Sequence, residues 1–140
     1  MVRISDKDLI KDLKRNSRIP YTELAKKYAV SEGAIRKRIA KLIKQGIIRK
    51  FTVDVDPKKL GYEIEALIGI DTAPDKLVEV LDYLKQQEEI EELYTSTGDH
   101  MIMLKICFKD NSELIDYVKH LENTPGITRV CPAIILNRVK

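Results

Sequence analysis

Residues 20–46 read PYTELAKKYAVSEGAIRKRIAKLIKQG, and this stretch decides the fold of the first half of the chain. Helical spacing after the proline is kept by Tyr21, Leu24, Ala25 and Tyr28. Thr22 is the expected cap of this short helix. A three-residue break follows, and Ser31 is expected to cap a longer helix that runs to Gln45, with Gly46 just beyond it. Two helices joined by so short a turn, the second of them basic, predict a helix-turn-helix.

The flanking segments complete the predicted domain. Upstream, Ser5 and Asp8 form a capping box before a helix whose apolar stripe is Leu9, Ile10 and Leu13. Downstream, residues 47–53 (IIRKFTV) are rich in β-branched residues and predict a short strand, as in the wing of a winged helix-turn-helix. The expected organisation is a DNA-binding domain over residues 1–53, a polar linker over 54–62 and a second domain over 63–140.

Charge is divided unevenly between the two halves of the chain. Residues 1–60 hold 17 Lys and Arg against 7 Asp and Glu, a balance of +10, whereas residues 61–140 hold 8 against 15, a balance of −7. The first half is therefore expected to face a polyanion, double-stranded DNA. Two alternatives are an accidental split between solvated surfaces and an architectural DNA-binding protein with weak sequence preference and no effector.

The third predicted helix has one apolar and one basic side. At about 100° per residue, the side that packs on the first two helices is Ile35, Ile39, Leu42 and Ile43. The N-terminal part of a recognition helix meets the bases, so base contacts are expected from Ser31, Glu32, Gly33, Ala34, Arg36 and Lys37. Phosphate contacts are expected from Arg38, Lys41, Lys44, Arg49 and Lys50, with further positive charge from Lys11, Lys14, Arg15 and Arg18. The alternatives are a merely solvated lysine face and a Glu32 that only complements the helix N-terminus.

The second half of the chain repeats itself after 37 residues. Residues 76–93 (KLVEVLDYLKQQEEIEEL) align with residues 113–130 (ELIDYVKHLENTPGITRV), and a strand-like apolar run precedes each copy, at 64–71 and at 101–108. The unit is β-α-β used twice, which predicts a ferredoxin-like βαββαβ domain and an α+β chain. In that arrangement the first strand lies between the third and the fourth.

The two cysteines bear on this topology, because Cys107 falls on the third strand and Cys131 on the fourth. Strands two apart are separated by about 10 Å, whereas a disulfide needs Cα atoms within roughly 7 Å of each other. We therefore predict two small buried thiols with no bridge between them.

Several function classes are disfavoured by what the sequence lacks. His100 and His120 have no ligand-spaced companions, so no metal site is predicted. The sequence holds no phosphate-binding glycine motif and no nucleophile, base and acid set, so neither a cofactor nor an enzymatic activity is expected. No apolar run approaches the roughly 18 residues of a membrane span, and MVRISDKDL lacks the apolar core of a signal peptide. A cytoplasmic protein without membrane contact is expected.

Three stretches of the chain resemble a known family. Residues 24–61 (LAKKYAVSEGAIRKRIAKLIKQGIIRKFTVDVDPKKLG) resemble the DNA-binding half of the leucine-responsive/asparagine, or feast/famine, regulators of prokaryotic transcription. Residues 95–104 (TSTGDHMIML) and 123–130 (NTPGITRV) resemble the effector-binding and oligomerisation domain of that family. The resemblance implies homodimers in which two sheets face each other, tetramers or octamers built from these dimers, and a palindromic operator read by two recognition helices.

The resemblance also implies an amino-acid effector bound between dimers, at Thr97, Gly98, Asp99, His100, Met101, Ala133 and Ile134. Independently, Gly98 permits a tight turn whose backbone N–H groups can meet a carboxylate, while Asp99 can meet an ammonium group. The alternative is an ordinary hairpin in which Asp99 caps its own turn and His100 contacts nothing bound. Met101 stands where the family often has an acid, so the effector is expected to be different, weakly bound or absent.

Overall fold

The computed structural model describes residues 4–140, so residues 1–3, with which the predicted first domain begins, lie outside that description. The backbone divides into two compact units, one ending at Asp54 and the other spanning Val55–Lys140. Among the residues described, no helix is long and apolar enough to cross a membrane.

The first unit is built from three helices: α1 (Asp6–Arg15), α2 (Tyr21–Tyr28) and α3 (Glu32–Lys44). Ser5 caps α1 by accepting from the backbone N–H of Asp8 at 3.4 Å, which confirms the predicted cap. The predicted cap at Thr22 is wrong, because α2 already begins at Tyr21 and has no side-chain cap. Pro20 takes over that role, since its φ of −60° suits a helix start and its carbonyl accepts from the N–H groups of the first turn.

The core of this unit is formed by apolar residues of all three helices. Its fully buried members are Leu9, Leu24, Ile35, Ile39 and Leu42. The prediction that Ile43 joins this stripe is wrong, because 47% of its side chain is exposed. Ile43 lies about 80° round the helix from Ile35, at the edge of the contact that α1 and α2 cover.

Residues 47–53 do not form the predicted strand. Their backbone has no strand pairing within residues 4–140, and Ile47, Phe51 and Val53 are each at least half exposed. A strand needs a neighbour to satisfy its N–H and C=O groups, and no segment of the described chain supplies one. The high β propensity of IIRKFTV was therefore insufficient by itself.

The second unit follows the predicted β-α-β repeat. Its elements are β1 (Ile64–Thr72), α4 (Leu77–Lys85), β2 (Ile90–Thr95), β3 (Ile102–Phe108), α5 (Asn111–Glu122) and β4 (Ile127–Ile134), with short 3-10 turns at Lys58–Leu60 and Pro74–Lys76. The antiparallel sheet has the order β2-β3-β1-β4, which confirms the ferredoxin-like arrangement with the first strand between the third and fourth. The chain is thus α+β.

Strand alternation gives the sheet two different faces. Even-numbered residues of β1 and β3 face the two helices and are buried, as Ile68, Ile70 and Leu104 illustrate. Odd-numbered residues form the opposite face, which we call the open face, and Leu67 in its middle is 38% exposed. Cys107 and Cys131 lie on the open face as free thiols, so they are half-buried rather than buried as predicted.

Candidate nucleic-acid interface and effector loop

The start of α3 is prepared for close contact with another molecule. Ser31 accepts from the N–H of Ala34 at 3.1 Å, which fixes the first turn. A Cβ atom added to Gly33 would meet nothing nearer than the Ser31 hydroxyl at 3.9 Å, so the backbone there is open to solvent. The exposed side of the same helix carries Arg36, Lys37, Lys41 and Lys44.

Arg36 is held in place by its neighbours while remaining 65% exposed. Its Nη2 donates to Glu32 one turn earlier at 3.2 Å, and its guanidinium lies 5.2 Å from the centre of the Tyr21 ring. Glu32 therefore has two local roles, because it also places a negative charge at the positive end of α3. Both roles are intramolecular. They agree with the alternative in which Glu32 complements the helix N-terminus, and neither of them involves a base.

Arg38 lies on a different side of α3 from the exposed lysines. Its Nη1 donates to Asp6 at 2.8 Å, and only a third of its side chain is exposed. The pair joins α1 to α3 and partly neutralises the guanidinium. Arg49 and Lys50, which follow α3 in the irregular segment, are exposed.

A buried carboxylate that the sequence analysis missed supports the helix-turn-helix from within. Asp12 accepts from Lys27 Nζ at 2.7 Å and from the Tyr28 hydroxyl, and its side chain is only 7% exposed. These two hydrogen bonds hold the pKa of Asp12 below its ordinary value. Burial and the nearby Asp12 carboxylate raise the pKa of Tyr28 to about 12. The cluster ties α1 to the end of α2, directly before the turn that aims α3.

The loop between β2 and β3 contains five of the seven predicted effector residues, Thr97 to Met101. Gly98 adopts a φ of +101°, and the N–H of Ser96 donates to the Met101 carbonyl at 3.0 Å across the loop base. Thr97, Gly98 and Asp99 are exposed at its tip. The Met101 side chain turns inward, since its Sδ accepts from the backbone N–H of buried Thr72 at 3.5 Å.

Asp71, at the end of β1, fastens this loop to the sheet. Its Oδ1 accepts from the Met101 N–H at 3.0 Å, while its Oδ2 lies 3.2 Å from His100 Nδ1 and 3.4 Å from Arg129 Nε. The Met101 hydrogen bond, followed by His100 and Arg129, holds the pKa of Asp71 below its ordinary value although burial opposes this. The His100 ring covers Gly69, where a Cβ atom would come within 2.3 Å of it.

Ala133 and Ile134 lie away from this loop within one chain. They pair with Leu67 and Ala66, whereas the loop meets the other end of β1 at Asp71. Four residues of strand separate Leu67 from Asp71, or about 13 Å. One chain therefore brings His100 and Met101 together with Asp71, which Arg129 also contacts, and leaves Ala133 and Ile134 apart from them.

Two family models match the chain. A winged helix-turn-helix DNA-binding model matches residues 3–49, and the Lrp/AsnC ligand binding domain matches residues 65–140. The HTH-type transcriptional regulator LrpA of Pyrococcus horikoshii is 45% identical over 141 residues, covering 100% of both chains. The chain belongs to the Lrp/AsnC family. Proteins of the Lrp/AsnC family that match it are DNA-binding transcriptional regulators rather than enzymes.

Solved structures share the fold of this chain. The structure of E. coli AsnC superposes with a TM-score of 0.85 at 29% identity, covering 99% of this chain and 95% of that one. A feast or famine regulatory protein from M. tuberculosis, complexed with L-methionine, has a TM-score of 0.87 at 24% identity and covers 96% and 92% of the two chains. The second likeness shows the fold alone.

Asp71 on β1 and Arg129 on β4 lie beside this loop, and sequence reasoning did not find them. Each interrupts an apolar strand, which is a weak signal by itself. They become partners only in the register that sets Asp71 opposite Arg129 across β1 and β4. The Asp12 cluster was missed for a similar reason, since Asp12 and Lys27 lie 15 residues apart on different helices.

Proposed function

We propose that this Lrp/AsnC protein is a sequence-specific transcription regulator that binds DNA as a homodimer. The observation that carries the proposal is the exposed, basic side of α3, with its open backbone at Gly33. A major groove about 12 Å wide admits one such helix, N-terminal end towards the bases. Two copies related by a twofold axis would read half-sites about 34 Å apart or a multiple of it, so the operator would be an imperfect palindrome. This function would be exercised in the cytoplasm, on chromosomal DNA.

The exposed residues of α3 divide into two proposed classes. Base edges would be read by Ser31, Glu32, Gly33, Ala34, Arg36 and Lys37. Phosphates would be met by Arg38, Lys41, Lys44, Arg49 and Lys50, of which Arg38 is the weakest candidate because Asp6 already pairs with it. Phosphate contacts confer affinity and salt dependence, whereas base contacts confer sequence preference.

Homodimerisation is proposed to occur through the open face of the sheet. Helices α4 and α5 cover one face, while apolar and small residues such as Leu67, Met103 and Ala133 lie on the other. A sheet face with a solvent-exposed apolar centre is stabilised when a second sheet packs on it. Tetramers or octamers would arise from further contacts between these dimers.

An amino-acid effector is proposed to bind at the loop of residues 97–101. Arg129 uses only its Nε towards Asp71 and Cys131, and its side chain is 57% exposed, so its two Nη groups can hold a carboxylate. Asp71 and Asp99 offer the complementary negative charge for an ammonium group. This pair of charges suits a zwitterion even though position 101 is Met101 and not an acidic residue. Ala133 and Ile134 would contribute only from a second copy of the chain.

Selection from random DNA with the intact protein tests the sequence-specific function. Bound DNA is expected to converge on one palindromic motif, and footprinting of that motif is expected to protect both halves. Recovery of DNA with no common motif would instead indicate an architectural protein. Protection of one unpaired half-site would contradict the paired reading.

A further inference from the structure

A groove of about 620 Å³ lies at the opposite end of β3 from the loop of residues 97–101, and Cys107 of the open face is among the residues that line it. The end of α4, the segment before β2 and one side of α5 form its walls, and Phe108 of β3 contributes to its base. We call it the tyrosine–glutamate groove. Its volume falls in the range of small-molecule sites, roughly 300–1,000 Å³. It contains none of the residues used in the proposed DNA or effector contacts.

Aromatic rings make up much of its lining, at Tyr62, Tyr83, Phe108 and Tyr117. Phe108 and Tyr117 have ring centres 5.4 Å apart, and the Tyr117 hydroxyl donates to Gln87 at 2.8 Å. The Tyr83 hydroxyl is hydrogen-bonded to His120. With two hydroxyls engaged within the wall, these rings offer apolar and π surface to a ligand.

Carboxylates lie on two walls of the same groove. Glu88 and Glu89 stand before β2 and have no ion-pair partner among residues 4–140. Glu91 lies 3.9 Å from Lys105 Nζ and accepts from the Cys107 thiol at 3.5 Å, and Glu113 on α5 accepts from the Lys109 backbone N–H. In the described chain, no Lys or Arg is among the residues that line the groove.

Two groups in the lining have raised pKa values, for which burial is the first cause and nearby carboxylates are a further one. Burial, followed by the charge of Glu91, raises the pKa of the Cys107 thiol to about 11. Burial also raises the pKa of the Tyr117 hydroxyl, and Tyr83 and Glu89 act in the same direction. Among the described residues, no Lys or Arg of the lining offsets the carboxylates, so the groove favours a positive charge.

The chemistry of the lining distinguishes between kinds of cation. Within residues 4–140, no three carboxylate, histidine or cysteine side chains converge closely enough to hold a metal ion. A bare ion would also gain little from four aromatic rings. An aliphatic amine uses both features, because its methylene groups cover the rings while its ammonium groups reach the carboxylates on the two walls.

We propose that the tyrosine–glutamate groove binds a linear aliphatic di- or triamine. Glu88 and Glu89 hold one ammonium end, and Glu113 attracts the other. Tyr62 and Tyr83 cover the chain between them. This site is independent of the proposed regulation by an amino acid, and its test requires no DNA.

Titration of the DNA-free protein with spermidine tests the proposal, using calorimetry and tyrosine fluorescence at about physiological ionic strength. The chain has no Trp and 6 Tyr, and three of these tyrosines line the groove. Tyrosine fluorescence therefore reports on the groove with half of its fluorophores. Saturable binding at one site is expected, with a change in fluorescence. Magnesium chloride at matched ionic strength is expected to give neither.

The double variant E88Q/E89Q is expected to weaken spermidine binding about 10-fold, because two ammonium–carboxylate contacts are lost. Its matched control, D116N/E122Q, removes the same charge from exposed positions of α5 outside the groove and is expected to change affinity less than about twofold. Tyr62→Leu is expected to weaken binding about threefold through the lost ring. Circular dichroism confirms that each variant is folded before titration.

Each remaining outcome overturns the proposal. Absence of saturable spermidine binding would show that the groove is not an amine site. Equal weakening in the two double variants would show that spermidine acts as a diffuse counterion. Equal binding of magnesium would show that the rings have no part in recognition.

Discussion

The two units of the chain carry opposite net charge, and in each unit residues of the less common sign form internal ion pairs. In the basic first unit, Asp6 pairs with Arg38 and Asp12 pairs with Lys27, each across two helices. In the acidic second unit, Lys105 pairs with Glu65 and Arg129 pairs with Asp71, each across two strands. In each unit these residues of the minority sign join structural elements, while most residues of the majority sign are exposed. The net charge of a unit therefore does not show which of its charged side chains remain available to a partner.

The units also differ in how completely they bury their apolar residues. Three helices enclose the core around Leu24 and Ile35, so α3 is complete within one chain. The sheet of the second unit is covered on one face only, and Leu67 remains partly exposed on the other. The core of the first unit is therefore enclosed within one chain, while the sheet of the second unit has one face that its own helices leave uncovered.

The largest expected effect comes from placing a charge on the open face. Leu67→Glu is expected to raise the dimer dissociation constant at least about 100-fold, because burying an unpaired charge costs about 3 kcal/mol or more. Sedimentation velocity over a concentration series measures this. Val78→Glu, at a 70% exposed position of α4, is the matched control and is expected to leave the dimer intact. A wild-type protein that stays monomeric would refute the proposed interface.

Loss of the buried carboxylate is expected to have the next largest effect. Asp12→Ala is expected to lower the free energy of unfolding by about 1–3 kcal/mol, since the Tyr28 hydroxyl loses its acceptor. Combining it with Tyr28→Phe is expected to cost less than the sum of the two single changes. Urea denaturation of all four proteins measures this cycle, and strict additivity would contradict the coupling.

The same cluster predicts a direction for pH dependence. The pKa of Asp12 is lowered in the folded state from its ordinary value of 3.8. Its stabilisation is thus present above that value and is lost as the pH falls through the folded pKa. Wild-type protein is expected to lose more stability than Asp12→Ala when the pH is lowered from 5 to about 2. Equal losses would assign the acid sensitivity to other carboxylates.

Substitutions on α3 are expected to separate the two classes of DNA contact. Arg36→Ala is expected to cost about 1–3 kcal/mol and to relax preference at one base pair. Lys41→Ala is expected to weaken binding to all sequences and to flatten the salt slope by about one. Binding isotherms on the selected site and on a scrambled site, at several salt concentrations, measure both. If the two variants changed sequence preference alike, the division would be wrong.

The smallest expected effect concerns the turn before α3. Ala29 ends α2 with a φ of +52°, a left-handed conformation that costs a non-glycine residue about 1 kcal/mol. Ala29→Gly is expected to stabilise the protein by up to about 1 kcal/mol, because relief of this strain exceeds the added entropy of the unfolded chain. Ala40→Gly, within α3, is expected to destabilise by about 1 kcal/mol. Equal thermal shifts would contradict the strain.

Most local structure was predictable because short-range periodicity determines it. The caps at Ser5 and Ser31, the break around Ala29 and the 37-residue repeat all appear in the described fold. Errors arose where a local signal required a distant partner, as in residues 47–53, whose β propensity found no neighbouring strand. The predicted roles of Ile43 and Thr22 were wrong by less than one helical turn. The neighbouring helices leave Ile43 exposed, and Pro20 caps α2 in place of Thr22.

The sequence by itself determined the helix-turn-helix, the ferredoxin-like topology, the charge division and the loop at Gly98, since each is written in residues close together along the chain. Tertiary structure alone decided which side chains meet across long separations. Asp71 reaches Arg129 and Met101 only through strand register, and Asp12 reaches Lys27 only through helix packing. The groove between Glu88 and Tyr117 likewise exists only once α5 lies on the sheet. Periodicity fixes the direction of a side chain, whereas packing fixes its partner.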